Sequence, residues 1–363
     1  MSRNRFKSFL NPFDELISKK RAVRVNPTLP PPREEPKNIV ITIYNYDANE
    51  VKISNVDKVE DCFPYLHLTN NTWINLDGLR KTDVEKIGAH FGIHPLIVED
   101  ILSIGQRPKM DDLNQLIYGL LNMLYFNEES FSVESEQISV ILGRNFVLSF
   151  QEDASRDVFN PVREKLKATG SKIRTNKPDY LFYSLIDMVV DNYFVIMEKL
   201  GEKIELLEDD ITHRPDTKTL AKINFLRKEM MFLRRTISPV RELINGILRS
   251  ESELIEEKTE KYFKDVYDHI VQANELAENY RDMMINLQDL YLSNVNLKMN
   301  EVMKVMAVVT CLLAPATVIG GIFGMNFNRI PGLQNPEGFY AAVGLMLIIP
   351  IWMIWIFRRR GWF

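Results

Sequence analysis

The chain has 363 residues, with 45 Lys and Arg against 49 Asp and Glu, a net charge of −4 and 45% hydrophobic residues. This slightly acidic balance excludes a general nucleic-acid binder, which needs a net basic face to displace counterions. Two cysteines, Cys62 and Cys311, exclude a disulfide framework or a cysteine-based metal site, and the length predicts two or three structural units.

Residues 1–37 lack the apolar core of a signal peptide and end in Pro27, Pro30, Pro31, Pro32 and Pro36, so a flexible N-terminal tail in the cytosol is expected. Residues 38–176 read as a cytosolic α/β domain. Dense apolar and β-branched runs at 39–46, 116–126 and 138–150 predict strands. Thr82 followed by Glu85 predicts a capping box opening a short helix, which Gly92 closes. From 177 to 258 the apolar period is helical and is broken near Pro215 and Leu248, which predicts antiparallel cytosolic helices.

Thr259 is an N-cap candidate for a stalk helix over 259–327 that continues into a first membrane span. It meets no proline before Pro315 and no glycine before Gly320, and as one helix it would be on the order of 95 Å long. No charged side chain occurs in 305–327. A second uncharged run, 339–357, ends in Trp352 and Trp355 beside Arg358, Arg359 and Arg360. The external loop between them, 328–338, carries one Arg and one Glu. Lys298, Lys304 and the basic tail of 358–363 flank the other ends of the hairpin, so both termini are expected in the cytoplasm.

One seam of the long helix reads Asp289, Asn296, Asn300, Met303, Ala307, Thr310, Ala314, Thr317, Gly321 and Gly324, a heptad-like spacing. Two readings fit it. Small residues let helices approach closely, and Gly320 with Gly324 forms GxxxG. Alternatively, hydroxyls and carbonyls line a path for a hydrated cation, with the Asn326 carboxamide at its exit. Two helices cannot enclose a pore, so the second reading requires a cyclic homo-oligomer.

Gly324, Met325 and Asn326 form a Gly-Met-Asn signature at the end of the first of two C-terminal spans. With it occur, in order, TWINLDGLRKTD (72–83), HPLIVEDIL (94–102), QRPK (106–109), YSLID (183–187) and KDVYDH (264–269). On these residues the chain resembles the CorA family of magnesium and cobalt transporters over roughly 38–363, closest to its thermophilic bacterial and archaeal branch. The resemblance implies a funnel-shaped homopentamer whose long stalk helices line a pore, below an ion filter of Gly324, Met325 and Asn326. Asn300, Met303, Met306, Thr310, Ala314 and Thr317 would line the path, Met303 and Met306 lying near a hydrophobic constriction and Ala314 standing where a methionine is expected. Many relatives also carry an acidic residue soon after the signature, whereas this chain reads Arg329, Ile330, Pro331, Gly332, Leu333, with Glu337 the only carboxylate of the loop.

Glu99 with Asp100, Asp187 with Asp191, and Asp265 with Asp268 are the acidic groups that stand out. As residues alone they read most simply as solvated or ion-paired surface acids. The resemblance implies instead that Asp100 and Asp265 face each other between subunits around a divalent ion, with Glu99, Asp187 and Asp191 as neighbouring ligands. Intracellular Mg²⁺ would then hold the ring closed, and its loss would open the pore by repulsion between like charges. The five histidines offer no catalytic cluster, Gly92 separates His90 from His94, and no GxxxxGK[ST] loop for a nucleotide occurs, so no enzyme is expected. The expected function is passive Mg²⁺ uptake at the cell membrane, driven by the membrane potential, with Co²⁺ and Ni²⁺ also passing. The alternatives are a zinc or other divalent-cation transporter of the same superfamily and a non-conducting, membrane-tethered sensor.

Overall fold

The computed structural model describes residues 35–36, 39–113, 115–153, 156–213, 216–326, 330–331 and 337–362. Nearly all of the expected N-terminal tail and most of the 328–338 loop, Arg329 included, lie outside the described residues. The chain divides into two compact units, one formed by residues up to 204 with Phe225–Met283, the other by Glu205–Asn224 with Met284–Phe363.

The first unit is built on a seven-stranded sheet. Its strands are β1 (Val40–Tyr46), β2 (Val51–Val56), β3 (Asn71–Asp77), β4 (Lys109–Asp112), β5 (Ile117–Asn127), β6 (Ser132–Leu142) and β7 (Phe146–Gln151), in the order β2-β1-β3-β7-β6-β5-β4. Neighbours pair antiparallel except β3 with β7, the one parallel pair. A parallel pair needs a long crossover, and here the crossover contains α1 (Lys81–Phe91), α2 (Pro95–Leu102) and β4 to β6. With a 3₁₀ helix at Val59–His67, α1 and α2 close one face over a core that includes Ile43, Ile74, Val84, Ile87, Ile97 and Leu148.

Polar side chains join the parallel pair at its centre. Trp73 Nε1 donates to Ser149 Oγ at 2.8 Å, Ser149 Oγ donates to Asn75 Oδ1 at 2.6 Å, and Asn75 Nδ2 donates to Asp77 Oδ1 at 2.9 Å. Gln151 Nε2 donates to both Asp77 and Asp157, and Asp157 is ion-paired with Arg163. Asn75 faces Ser149 and Asp77 faces Gln151 across the two strands, so a register slip would strand these buried groups without partners.

Three local expectations change, the first being the Thr259 N-cap: the long helix begins at Glu257, so Thr259 already lies in its first turn. The run 138–150 is not one strand: it holds the end of β6, a turn over 143–145 and most of β7. Continuous hydrophobicity marks two adjacent strands that are both buried, and only the turn separates them. The capping box is also absent. Helix α1 starts at Lys81 with Arg80 as N-cap and without a side-chain cap bond, so Thr82 already lies inside the first turn. Gly92 closes the helix as expected, at φ 71°.

The other sheet face receives α5 (Pro178–His213), preceded by α3 (Asn160–Lys167) and α4 (Lys172–Thr175) and followed by α6 (Thr217–Arg249) and α7 (Glu257–Phe323). Tyr193 donates its hydroxyl to Asn122 O at 2.8 Å and Asn192 donates Nδ2 to Leu124 O at 2.6 Å, which fixes α5 along β5. Helix α5 is long and apolar enough to cross a membrane, but 61% of its most apolar window is buried. Leu181, Phe182, Leu185, Ile186, Val189 and Val190 recur at helical spacing within the core, so this hydrophobicity serves packing.

In the second unit, Tyr291 donates to Asp216 O at 3.1 Å and Asn294 to Ile211 O at 3.2 Å, so α7 supplies partners at the turn between α5 and α6. The remainder of α7 and α8 (Gly338–Arg359) each have an apolar window of which only 6% is buried. Helices this apolar and this exposed require a hydrocarbon solvent. Lys304 donates to Gly361 O at 3.3 Å and lies 6.0 Å from the Trp362 ring, while Arg359 lies 5.2 Å from Trp355, giving one end of the hairpin an aromatic and cationic border.

Gly143 permits the β6–β7 turn to close on Phe146, since a Cβ there would lie 2.4 Å from the buried ring. Gly143→Ala is expected to destabilise the protein by about 1–3 kcal/mol through overpacking. The midpoint of thermal unfolding of the full chain in detergent should fall accordingly; an unchanged midpoint would contradict this packing.

Candidate metal-binding and ion-path residues

Asp187 and Asp191 lie four residues apart on α5, and His269 lies on α7. One ligand atom from each falls within 4.8 Å of the others. His269 Nδ1 is 3.6 Å from Asp191 Oδ1 and has no hydrogen-bond partner among the described residues, while Tyr183 donates its hydroxyl to Asp187 at 3.0 Å. Burial raises the Asp187 carboxyl above its ordinary range, and the Asp191 charge raises it further. The Tyr183 hydrogen bond and His269 act in the opposite direction, and the charge of Asp265 adds to the upward shift. Two carboxylates and an imidazole so close, with repulsion already expressed in a raised pKa, form a site that a cation would relieve.

Asp265 is exposed one turn before His269, so its side chain adds negative potential from the same helix. Glu99 and Asp100 belong to α2. Glu99 is exposed, and Asp100 is ion-paired with Lys109, which also lies 3.8 Å from Asp111. Among the described residues, no group of three ligand side chains includes Glu99, Asp100 or Asp265. His269 was not singled out as a ligand in the sequence, although its spacing of four from Asp265 places both on one side of a helix.

The ion-path candidates lie in the second unit. Asn300, Met303, Met306, Thr310, Ala314 and Thr317 are all exposed on α7. Thr310 Oγ1 donates to Met306 O at 2.9 Å and Thr317 Oγ1 to Leu313 O at 3.0 Å, which leaves each hydroxyl oxygen able to accept from water. Helix α7 ends at Phe323, earlier than the 327 expected: Gly324 N–H still makes the helical bond to Gly320 O at 2.9 Å, and Met325 N–H closes the last turn more tightly on Ile322 O at 3.3 Å. Gly324, Met325 and Asn326 therefore follow the last helical turn, all three exposed. A Cβ at Gly324 would approach Gly320 O to 3.0 Å, which favours glycine at this tight exit.

A sequence profile described as CorA-like Mg²⁺ transporter protein matches residues 69–359. The chain is 40% identical to the cobalt/magnesium transport protein CorA of Thermotoga maritima over 323 residues, 89% of this chain and 92% of that protein. It is 25% identical to the cobalt/magnesium transport protein CorA of Methanocaldococcus jannaschii over 80% of this chain and 90% of the relative. The complete structure of the CorA magnesium transporter from M. jannaschii shares the fold with a TM-score of 0.71 at 21% identity, covering 91% of this chain and all of that one.

Raising Asp187 means that protons compete with a cation at the cluster above the ordinary carboxylate range. In the ion-free protein this carboxyl contributes stability that is fully present below its unfolded pKa and lost as pH rises through the raised one. Cation affinity should show the opposite trend and weaken as pH falls through the raised value. Titrating Co²⁺ into the full chain should raise the unfolding midpoint, by about 2.7 kcal/mol of stability at a hundredfold excess over Kd. Asp187→Asn should abolish most of that increment; an equal increment in the variant would remove Asp187 from the site.

Proposed function

From the premise that the chain belongs to the CorA-like Mg²⁺ transporter family, we propose that it carries Mg²⁺ passively into the cell, with Co²⁺ and Ni²⁺ as further cargo. The pore would lie between copies of α7 in a homopentamer. The observation that carries this reading is the Gly324-Met325-Asn326 segment at the exit of an apolar, exposed helix whose polar seam contains Asn300, Thr310 and Thr317. Mg²⁺ gives up its water reluctantly, so a carboxamide and carbonyls that address the hydrated ion cost less than direct ligation. The membrane potential supplies about 2.3 kcal/mol per charge per 100 mV, twice that for a divalent ion.

The cell membrane is the proposed location, with both termini in the cytoplasm, because Lys298, Lys304 and the arginines at 358–360 flank the same ends of the hairpin. Gating would use Asp100 and Asp265 between subunits, with Glu99, Asp187 and Asp191 nearby. Lys109 then occupies Asp100 when no ion is bound. Filling the sites neutralises like charges and favours the closed ring, limited by the difference in ion affinity between closed and open states. The imidazole of His269 beside Asp187 and Asp191 favours Co²⁺, Ni²⁺ or Zn²⁺ over Mg²⁺ at that cluster, and this supports a second reading in which another divalent cation is sensed or carried.

Uptake of Mg²⁺ into liposomes loaded with a fluorescent indicator tests the proposal. Wild-type protein should show saturable uptake driven by an inside-negative potential. Asn326→Ala, assembled normally, should lose at least about tenfold in rate, equivalent to about 1.4 kcal/mol of ion stabilisation at the filter. Asp265→Asn should leave uptake intact while weakening its inhibition by Mg²⁺ on the cytoplasmic side. No potential-driven uptake from a correctly inserted oligomer would reject the channel reading.

A further inference from the structure

A cleft of about 390 Å³ opens in the first unit where the β1–β2 turn meets the starts of α5 and α7. Tyr46, Arg174, Lys177, Glu256 and Lys258 contribute to its wall. Arg174 belongs to the short α4 and is only 4% exposed. Its Nε donates to Asp47 O at 3.0 Å, and its Nη2 has no hydrogen-bond partner among the described residues. A guanidinium cannot discharge by losing its proton. A positive charge is thus held out of water with a neutral carbonyl as its hydrogen-bonded partner, an arrangement that an anion at Nη2 would stabilise.

The nearby acids are engaged elsewhere. The Asp47 carboxylate accepts from Asn49 N at 2.7 Å and Glu50 N at 2.9 Å within its own turn, which lowers its pKa, and the Arg174 charge adds to that without a hydrogen bond between the two side chains. Buried Asp179 accepts from Tyr180 N and Glu256 N. Glu256 is shared by Lys177 at 2.7 Å and Lys258 at 2.6 Å. The Tyr46 hydroxyl, also buried, has no partner either. The starts of α5 and α7 add the partial positive charge of their N-termini.

We infer that this cleft binds a small phosphate-bearing anion, inorganic phosphate or a phosphomonoester, anchored by Arg174 with Tyr46, Lys177 and Lys258 as further donors. A guanidinium fork matches two oxygens of a phosphate, and the tetrahedral group offers the remaining oxygens to the hydroxyl and the ammonium groups. The volume lies in the lower part of the range for small-molecule sites. The inference concerns a site separate from the ion path, so its failure would leave the transport reading untouched.

Calorimetric titration of the full chain in detergent, in a chloride buffer without divalent cations, tests it with inorganic phosphate, glycerol phosphate and acetate as separate probes. Saturable binding of phosphate is expected. Tighter binding of glycerol phosphate would identify a phosphomonoester as the occupant, and its exclusion would identify the free ion. Arg174→Gln should weaken phosphate at least about tenfold, the loss expected for a charge-assisted hydrogen bond. Glu256→Gln frees Lys177 and Lys258 and should strengthen it severalfold, a gain that a structural role for these residues would not produce. If Arg174→Gln fails to assemble, the Glu256→Gln arm decides. Absence of saturable phosphate binding, equal binding of acetate, or no strengthening in Glu256→Gln would overturn the assignment.

Discussion

The 67 residues of α7 carry Asp265, His269 and the candidate ion-path residues, and the Gly-Met-Asn segment follows its last turn. A helix of this length in water is not held by propensity; most of its stability must come from an apolar face packed on neighbours. Phe263, Val266, Ile270, Ala273 and Ala277 are buried at helical spacing in the first unit and supply that face. Close approach is visible at Gly201, where a Cβ would lie 2.5 Å from the Tyr280 hydroxyl. The same packing brings His269 to Asp187 and Asp191, so the geometry of this candidate cluster follows from the contact between α5 and α7.

That contact places charge where hydrophobic packing alone would not. Asp187 is kept partly from water beside Asp191, and burial together with like charge raises its pKa. The resulting free energy is available to any cation that binds, and also to a proton, which is why ion sensing at such a cluster is coupled to pH. Asp100 is different: Lys109 already pairs with it within the same chain. An ion binding there would displace an ammonium, whereas a cation at Asp187 would meet carboxylate repulsion that Tyr183 and His269 offset only in part.

Beyond Met284 the energetic basis changes. Helices α7 and α8 expose Val, Leu, Ile, Met and Trp along their length, and the polar atoms on the candidate path are few. Hydroxyls of Thr310 and Thr317 bond to carbonyls of their own helix, so each hydroxyl proton is satisfied while its oxygen retains accepting capacity. Pro315 lacks an N–H, which leaves the carbonyl four residues earlier without its usual donor. Gly324 then ends the helix and presents Asn326 beyond the hydrophobic stretch.

Much of this was legible in the amino-acid order. Two uncharged runs bordered by Trp355 and Arg358–Arg360 determine the membrane hairpin, because hydrocarbon penalises charge regardless of tertiary context. The Gly-Met-Asn segment is placed by counting from those runs, and the dense apolar and β-branched run at 39–46 marks the first strand of the sheet. Sequence alone did not show that β3 pairs parallel with β7, that the run 138–150 turns at Gly143, or that His269 joins Asp187 and Asp191. Nor did it show that Arg174 is buried with an unpartnered Nη2. Apart from the turn at Gly143, these outcomes depend on residues tens of positions apart, so local propensity carries no signal for them. Membrane spans follow from solvent chemistry that each segment meets by itself, whereas charge clusters and orphaned donors exist only once packing has chosen their neighbours.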